Sequence, residues 1–249
     1  MNSKFENLVT SLQHKTIRAF KNEALNPKEV KALIDVAQRT ATSSGQQAAS
    51  IIRVTDPAKK LAISKICNQT YVAEAAELWI FLVDQKRNHD IALAKGNESS
   101  NADYFYKFIP AFTDAILMAQ NVVNAAENLG LGTVYLGSIH NDIPQLIEIM
   151  ELPQLTFPAL GLAFGYANQE PQLKPRMDMN FRLFENTYRK EAYTVEEFTD
   201  YDRVMQTYYD LRNANQRVDT FTDQIAKGYK TPSARSNFLE EIQKQGFNK

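Results

Sequence analysis

This sequence predicts a mixed α+β fold, on three observations. Short runs rich in β-branched and aromatic residues, "SIIRVT" at 50–55, "ELWIFLVD" at 77–84, "TVYLG" at 133–137 and "PALGLAFGY" at 158–166, are bounded by polar turns and read as buried strands. Capped segments with apolar residues at helical spacing alternate with them. One long stretch, "IPAFTDAILMAQNVVNAAENLGLG", is apolar on nearly every side and stops at Gly130, so it reads as the buried central helix.

In chain order, Ser3 with Glu6 frames a capping box, and Phe5, Leu8, Val9 and Leu12 then recur at helical spacing. A second helix opens at Asn26, with Pro27 at its first position, Glu29 two residues further on, and Val30, Leu33, Ile34 and Ala37 on one face. After the 50–55 strand, Asp56 and Pro57 open another helix. "NDIPQLIEIM" is a short helix before the last strand, whose glycines allow close approach. Beyond Phe181 the chain turns polar. "FRLFENTY" reads as a strand, Thr194 with Glu197 caps a tyrosine-rich helix, and a last helix spans Asn237 to Gln245. This tail is too polar for a core of its own. It reads as an extension, about 181–249, over the main body or over a partner subunit, within one domain of 1–249.

With 249 residues, 44% hydrophobic and 23% charged, the chain has a globular composition. Its net charge of -1 gives no overall basic field for nucleic acid or an anionic membrane. Any anion site must therefore be local. The N-terminus lacks the pattern of a signal peptide, and no span has the apolar length of a membrane helix, so a cytoplasmic location is expected. One cysteine, Cys67, excludes an internal disulfide framework, and His14, His89 and His140 show no metal-ligand spacing.

"HKTIRAF", residues 14–20, gathers an imidazole, two cations and a hydroxyl, which suits either a phosphate clamp or a solvated connection. "TSSGQQ" offers hydroxyls and amides for a polar heterocycle or polyol chain, or is only a turn. "LKPRMD" puts Lys174 and Arg176 around a stiff proline, and "LRNANQR" puts Arg212 and Arg217 on a polar loop. Either pair binds an anion or faces solvent. "GLGTVYLG" runs from helix into strand, the reverse of a dinucleotide-binding turn, and no nucleophile–base pairing is visible around Cys67 or His140.

Taken in order, "HKTIR", "SSGQQ" with "ASIIRVTD", "YVAEAAELW", "LGLGTVYLGS", "LKPR" and "LRNANQRVDTF" resemble the flavin-dependent nitroreductase family, in its NADPH-linked branch of oxygen-insensitive nitroreductases and flavin reductases. The likeness spans nearly the whole chain. It implies an α+β homodimer with a central mixed, largely antiparallel sheet flanked by helices, exchanged C-terminal extensions, and one FMN at each end of the dimer interface. It also implies NADPH as co-substrate, a small-molecule electron acceptor, and two-electron chemistry carried by FMN with no catalytic side chain. A flavin- or phosphate-binding module or sensor without enzymatic activity is the alternative.

By that resemblance His14, Lys15, Thr16 and Arg18 lie at the ribityl-phosphate end of FMN, with Arg176 joining the phosphate. Ser43, Ser44 and Gln47 come from across the interface, and Gln69 faces the flavin's polar edge. Tyr135, Leu136, Gly137 and Ser138 pass close to the ring, while Lys174 sits near its pyrimidine side as electrostatic support. Arg212 and Arg217 meet NADPH. The sequence departs from the family in three places: Lys15-Thr16 replaces an arginine and serine, Gly45 and Gln46 replace bulkier apolar residues, and Val218 stands where a second consecutive arginine often occurs.

Overall fold

The computed structural model describes residues 8–212, 219–230 and 235–249. The chain divides into two compact units, one of Met1–Pro171 with Ala234–Lys249 and one of Gln172–Ser233. In the first unit, helices α1 (Val9–Leu12), α2 (Pro27–Gln38), α3 (Pro57–Cys67), α4 (Tyr71–Glu74), α5 (Lys86–Ala94), α6 (Phe105–Asn128), α7 (Ile143–Met150) and α10 (Phe238–Lys244) surround a four-stranded sheet. Its strands are β1 (Ala49–Arg53), β2 (Glu77–Asp84), β3 (Gly132–Leu136) and β4 (Thr156–Gly165). They run in the order β1-β2-β4-β3 with every named pair antiparallel, and a parallel bridge from Thr16 to Thr133 makes the sheet mixed. All four expected strands are present.

Both faces of the sheet are buried, which explains why β2 is apolar without a break. Leu78, Ile80 and Leu82 point into a core with Ile63 of α3 and Leu146 of α7. Trp79 and Phe81 point the other way, against Leu33 of α2 and Ala115, Ala119, Val122 and Ala126 of α6. Alanines four apart let α6 lie close on the sheet. The helix starts at Phe105, earlier than its apolar run suggests, and its outer side is not covered within the unit. Tyr106, Ile109 and Leu117 are exposed there.

Asn26 caps α2 by a full capping box: its side chain accepts from Lys28 N at 2.9 Å, and its own N–H donates to Glu29 Oε2 at 2.9 Å. Ser3 and Glu6 lie outside the described residues. The chain end returns to the first unit. Ile242 of α10 and Phe247 pack against Phe108 and Phe157, while Leu155 N donates to Gln245 O at 2.8 Å.

His140 sits in this third cluster, where its Nε2 donates to Pro158 O at 2.8 Å between the rings of Phe157 and Phe238. Burial pushes its imidazole below the ordinary value near 6.5. The unfolded chain therefore takes up this proton at a higher pH than the folded one, so His140 favours the fold above about pH 6.5 and progressively less below it. Urea unfolding at pH 7.5 and pH 5.5 checks this: stability is expected to fall with pH, and less steeply in His140→Gln. Linkage of one proton caps the difference in slope at about 1.4 kcal/mol per pH unit.

The second unit holds α8 (Thr199–Arg212) and α9 (Phe221–Gly228), joined where Asp202 accepts from Thr222 N at 3.0 Å and Thr222 Oγ1 at 2.5 Å. The expected strand at "FRLFENTY" does not form. A helical turn, Met179–Phe181, capped by Asp178, ends at its first residue instead, and Asn186 takes a positive φ of 63°. Phe181 stacks on Phe198 at 4.6 Å, so the run's apolar pattern serves ring packing. Thr194 N donates to Glu197 Oε2 at 2.7 Å, and Arg189 meets the same carboxylate at 2.7 and 3.2 Å.

Candidate functional site

The "HKTIR" segment lies along the free edge of β3. Ile17 N donates to Thr133 O at 2.9 Å, and further on Lys21 N donates to Tyr166 O and Asn168 N to Ala19 O, each at 2.9 Å. Ile17 and Phe20 are buried beneath the segment. Alternation then turns the neighbours of Ile17, Thr16 and Arg18, away from the core. Gly132 makes the fit possible: a Cβ there would stand 2.6 Å from Ile17 Cγ1.

The polar side chains of this segment have definite partners. His14 Nδ1 meets Glu127 Oε1 at 2.6 Å, at the end of α6, and the same oxygen accepts from Thr133 Oγ1 at 2.9 Å. Lys15 forms an ion pair with Glu170. Arg18 lies beside the Tyr71 hydroxyl, whose pKa is raised by burial and held back by that guanidinium.

Tyr71 leads to the next group. Past α3, Asn68 turns the chain with a φ of 52°, and Gln69 Oε1 accepts from Ser138 Oγ at 2.9 Å. Burial raises the Cys67 thiol, against the opposing pull of Ser138 and Arg235. Gly137 and Ser138 thus face a polar cluster just past the end of β3. Tyr135 points to the other face, donating to Gln120 Oε1 of α6 at 2.9 Å, with its own pKa raised by burial; Leu136 is buried.

Arg235 is a member of this polar cluster that no sequence pattern singled out. Its Nη1 lies 3.8 Å from where a Gly137 Cβ would stand, and its Nη2 donates to Asn141 Oδ1 at 2.8 Å. It sits in the polar tail, far in sequence from every residue it approaches. No local spacing could have tied it to Gly137.

Ser43, Ser44 and Gln47 are elsewhere. Their loop leads into β1, the opposite edge of the sheet from β3, so three strand spacings of about 4.8 Å, roughly 14 Å, separate the two edges. The loop is held in a strained form, with φ of 54° at Ser44 and 50° at Gln47. Ser43 N donates to Asp114 Oδ1 at 2.8 Å, and Asp114, buried in α6, has no partner for Oδ2 among the described residues.

Lys174 and Arg176 belong to the second unit, where Arg176 Nη1 donates to Lys174 O at 3.1 Å. Arg212 ends α8, and Arg217 lies outside the described residues. Within the first unit the structure therefore gathers Lys15, Thr16, Arg18, Gln69, Gly137 and Ser138 on the β3 side, with His14 tied to Glu127. This donor set, cationic at one end and amide and hydroxyl at the other, fits a phosphorylated polyol with a polar heterocycle, the make-up of FMN. An anion, the Glu170 carboxylate, already sits on Lys15.

Comparison with known proteins agrees with this chemistry. The "Nitroreductase family" model matches residues 12–166, and "Nitroreductase family, C-terminal domain" matches residues 174–249. The chain is 34% identical over 245 residues to an NADPH-dependent oxidoreductase of Staphylococcus saprophyticus, covering 95% of each chain. It is also 34% identical over 243 residues to the FMN reductase (NADPH) of Bacillus subtilis, covering 96% of this chain and 97% of that one. The solved structure of the NfrA1 nitroreductase from B. subtilis superposes with a TM-score of 0.90 at 33% identity, covering 98% of this chain and 99% of the other.

Proposed function

The chain belongs to the nitroreductase family, and from that premise we propose that it is an NADPH-dependent, FMN-containing oxidoreductase. It reduces small-molecule acceptors such as nitroaromatics, quinones or flavins by two electrons in a ping-pong cycle. FMN, when bound, supplies the redox chemistry; the protein supplies position and charge. The observation that carries the reading is the cluster on the β3 edge, where Lys15, Thr16 and Arg18 stand at one end and Gln69 with Ser138 at the other.

In this reading Arg18, Lys15 and Thr16 hold the phosphate, and Arg176 adds a second guanidinium. Gln69 and Ser138 orient the polar edge of the flavin, and the backbone at Gly137 lets the ring approach. Arg235 adds positive charge there. Lys174 supports negative charge on the pyrimidine side. Arg212 and Arg217 hold the 2′-phosphate of NADPH, which favours NADPH over NADH.

The protein works as a homodimer, its two compact units acting as one nitroreductase-like domain of 1–249 with an extension from about 181. Two observations support the dimer. The Ser43–Gln47 loop stands at the edge of the sheet away from the clamp, so a second copy is needed to close one small site from both. Tyr106, Ile109 and Leu117 leave an apolar stripe on α6 that a second copy would cover.

The expected result is a yellow dimer by native mass spectrometry, with one FMN per chain, bleached by NADPH without oxygen and recoloured by an acceptor. A colourless protein overturns the reading. A yellow one that NADPH leaves unbleached points instead to a flavin-binding module.

A further inference from the structure

We propose that Glu170 competes with the flavin's phosphate for Lys15, so that this chain holds FMN less tightly than its cations alone would allow. The inference rests on the functional reading above and adds a residue that sets affinity within it. Lys15 pairs with Glu170, and the pairing is not an accident of two long side chains meeting. The bridge from Thr16 to Thr133 fixes the backbone next to Lys15, and two residues before Glu170, Asn168 N donates to Ala19 O at 2.9 Å.

The two acidic residues of the cluster differ in kind. Glu127 is largely covered, with 10% of its side chain exposed, and it anchors His14 and Thr133, so it belongs to the fold. Glu170 is 84% exposed, while the Lys15 side chain is only 26% exposed. An exposed ion pair of this sort contributes little to stability, so Glu170 can leave Lys15 without loosening the fold.

A phosphate monoester carries up to two negative charges and offers three acceptor oxygens, against one charge and two oxygens on a carboxylate. It can displace Glu170 while also meeting Thr16 and Arg18. The cost of that displacement weakens binding. The effect falls on the phosphate end alone. Riboflavin, which has the same ring and polyol without the phosphate, does not need Lys15.

Serial dilution of the full-length, flavin-loaded protein, read by the fluorescence of released flavin, tests this. Glu170→Gln is expected to lower the Kd for FMN by about threefold to tenfold and to leave the Kd for riboflavin unchanged. In a Lys15→Met background the same substitution should have no effect, since there is no cation left to contest. An FMN Kd that stays put or rises in Glu170→Gln overturns the proposal. So does an equal shift for riboflavin, or a gain that persists without Lys15. Wild-type protein that holds neither flavin overturns the functional reading itself, and this proposal with it.

Discussion

Gly132→Ala is expected to cost about 1–3 kcal/mol of stability and to weaken FMN binding by about tenfold or more. The new methyl would stand 2.6 Å from Ile17 Cγ1 and 2.7 Å from both Cβ and Cγ2, which is overlap and not contact. Because one of these atoms is the Cβ of a branched residue, no rotamer change relieves the clash. The backbone has to move. If the 16–18 segment shifts outward, the bond from Ile17 N to Thr133 O stretches, and Thr16 and Arg18 leave their places with it. If β3 shifts instead, its register with β4, set by the pairing of Gly132 with Gly165, is disturbed. Thermal unfolding and FMN titration measure the two effects separately. The double variant Gly132→Ala with Ile17→Gly removes all three overlapping atoms, so it should recover FMN affinity while keeping a stability deficit from the lost side chain. Undiminished FMN affinity in Gly132→Ala would show that the clamp does not depend on this strand edge.

Much of this fold could be read locally, because the forces that set it are local. Asn26 and Glu29 cap α2 across three residues, and β2 announces its burial on both faces by an unbroken apolar run. Helix α5, which escaped notice, lacks such marks. Gln85 precedes α5 without a side-chain cap, and "KRNHDIALA" opens on polar residues with no apolar face. "FRLFENTY" has strand-like residues, but a strand also needs a neighbouring edge, and here Phe184 packs on Tyr188 and Phe181 on Phe198 instead. The site was legible in its cations and amides, but not in what they touch. Lys15 meets Glu170 across 155 positions, His14 meets Glu127 across 113, and Ser43 meets Asp114 across 71. Such pairings exist only once the sheet has brought its edges into place. Arg235 by Gly137 is of the same kind.

Arg18→Ala should weaken FMN binding by about 10- to 150-fold, the equivalent of losing one charge-assisted hydrogen bond to phosphate at about 1.5–3 kcal/mol. Of the cations in the segment, Arg18 is the one to test. His14 is committed to Glu127, and Lys15 is shared with Glu170, whereas Arg18 is exposed and lies against the neutral Tyr71 hydroxyl. Its planar guanidinium can also meet a phosphate with two parallel bonds, which the ammonium of Lys15 cannot. Because the side chain is exposed, removing it should change stability by less than about 0.5 kcal/mol. Arg18→Lys keeps the charge and loses the fork, so its affinity should fall between those of wild type and alanine. Riboflavin separates the causes: its binding should be almost unaffected by either substitution, since it brings no phosphate to Arg18. A flavin titration in which FMN and riboflavin weaken together would place Arg18 at the ring or in the fold. Unchanged affinity for both would move the phosphate clamp away from this edge of the sheet.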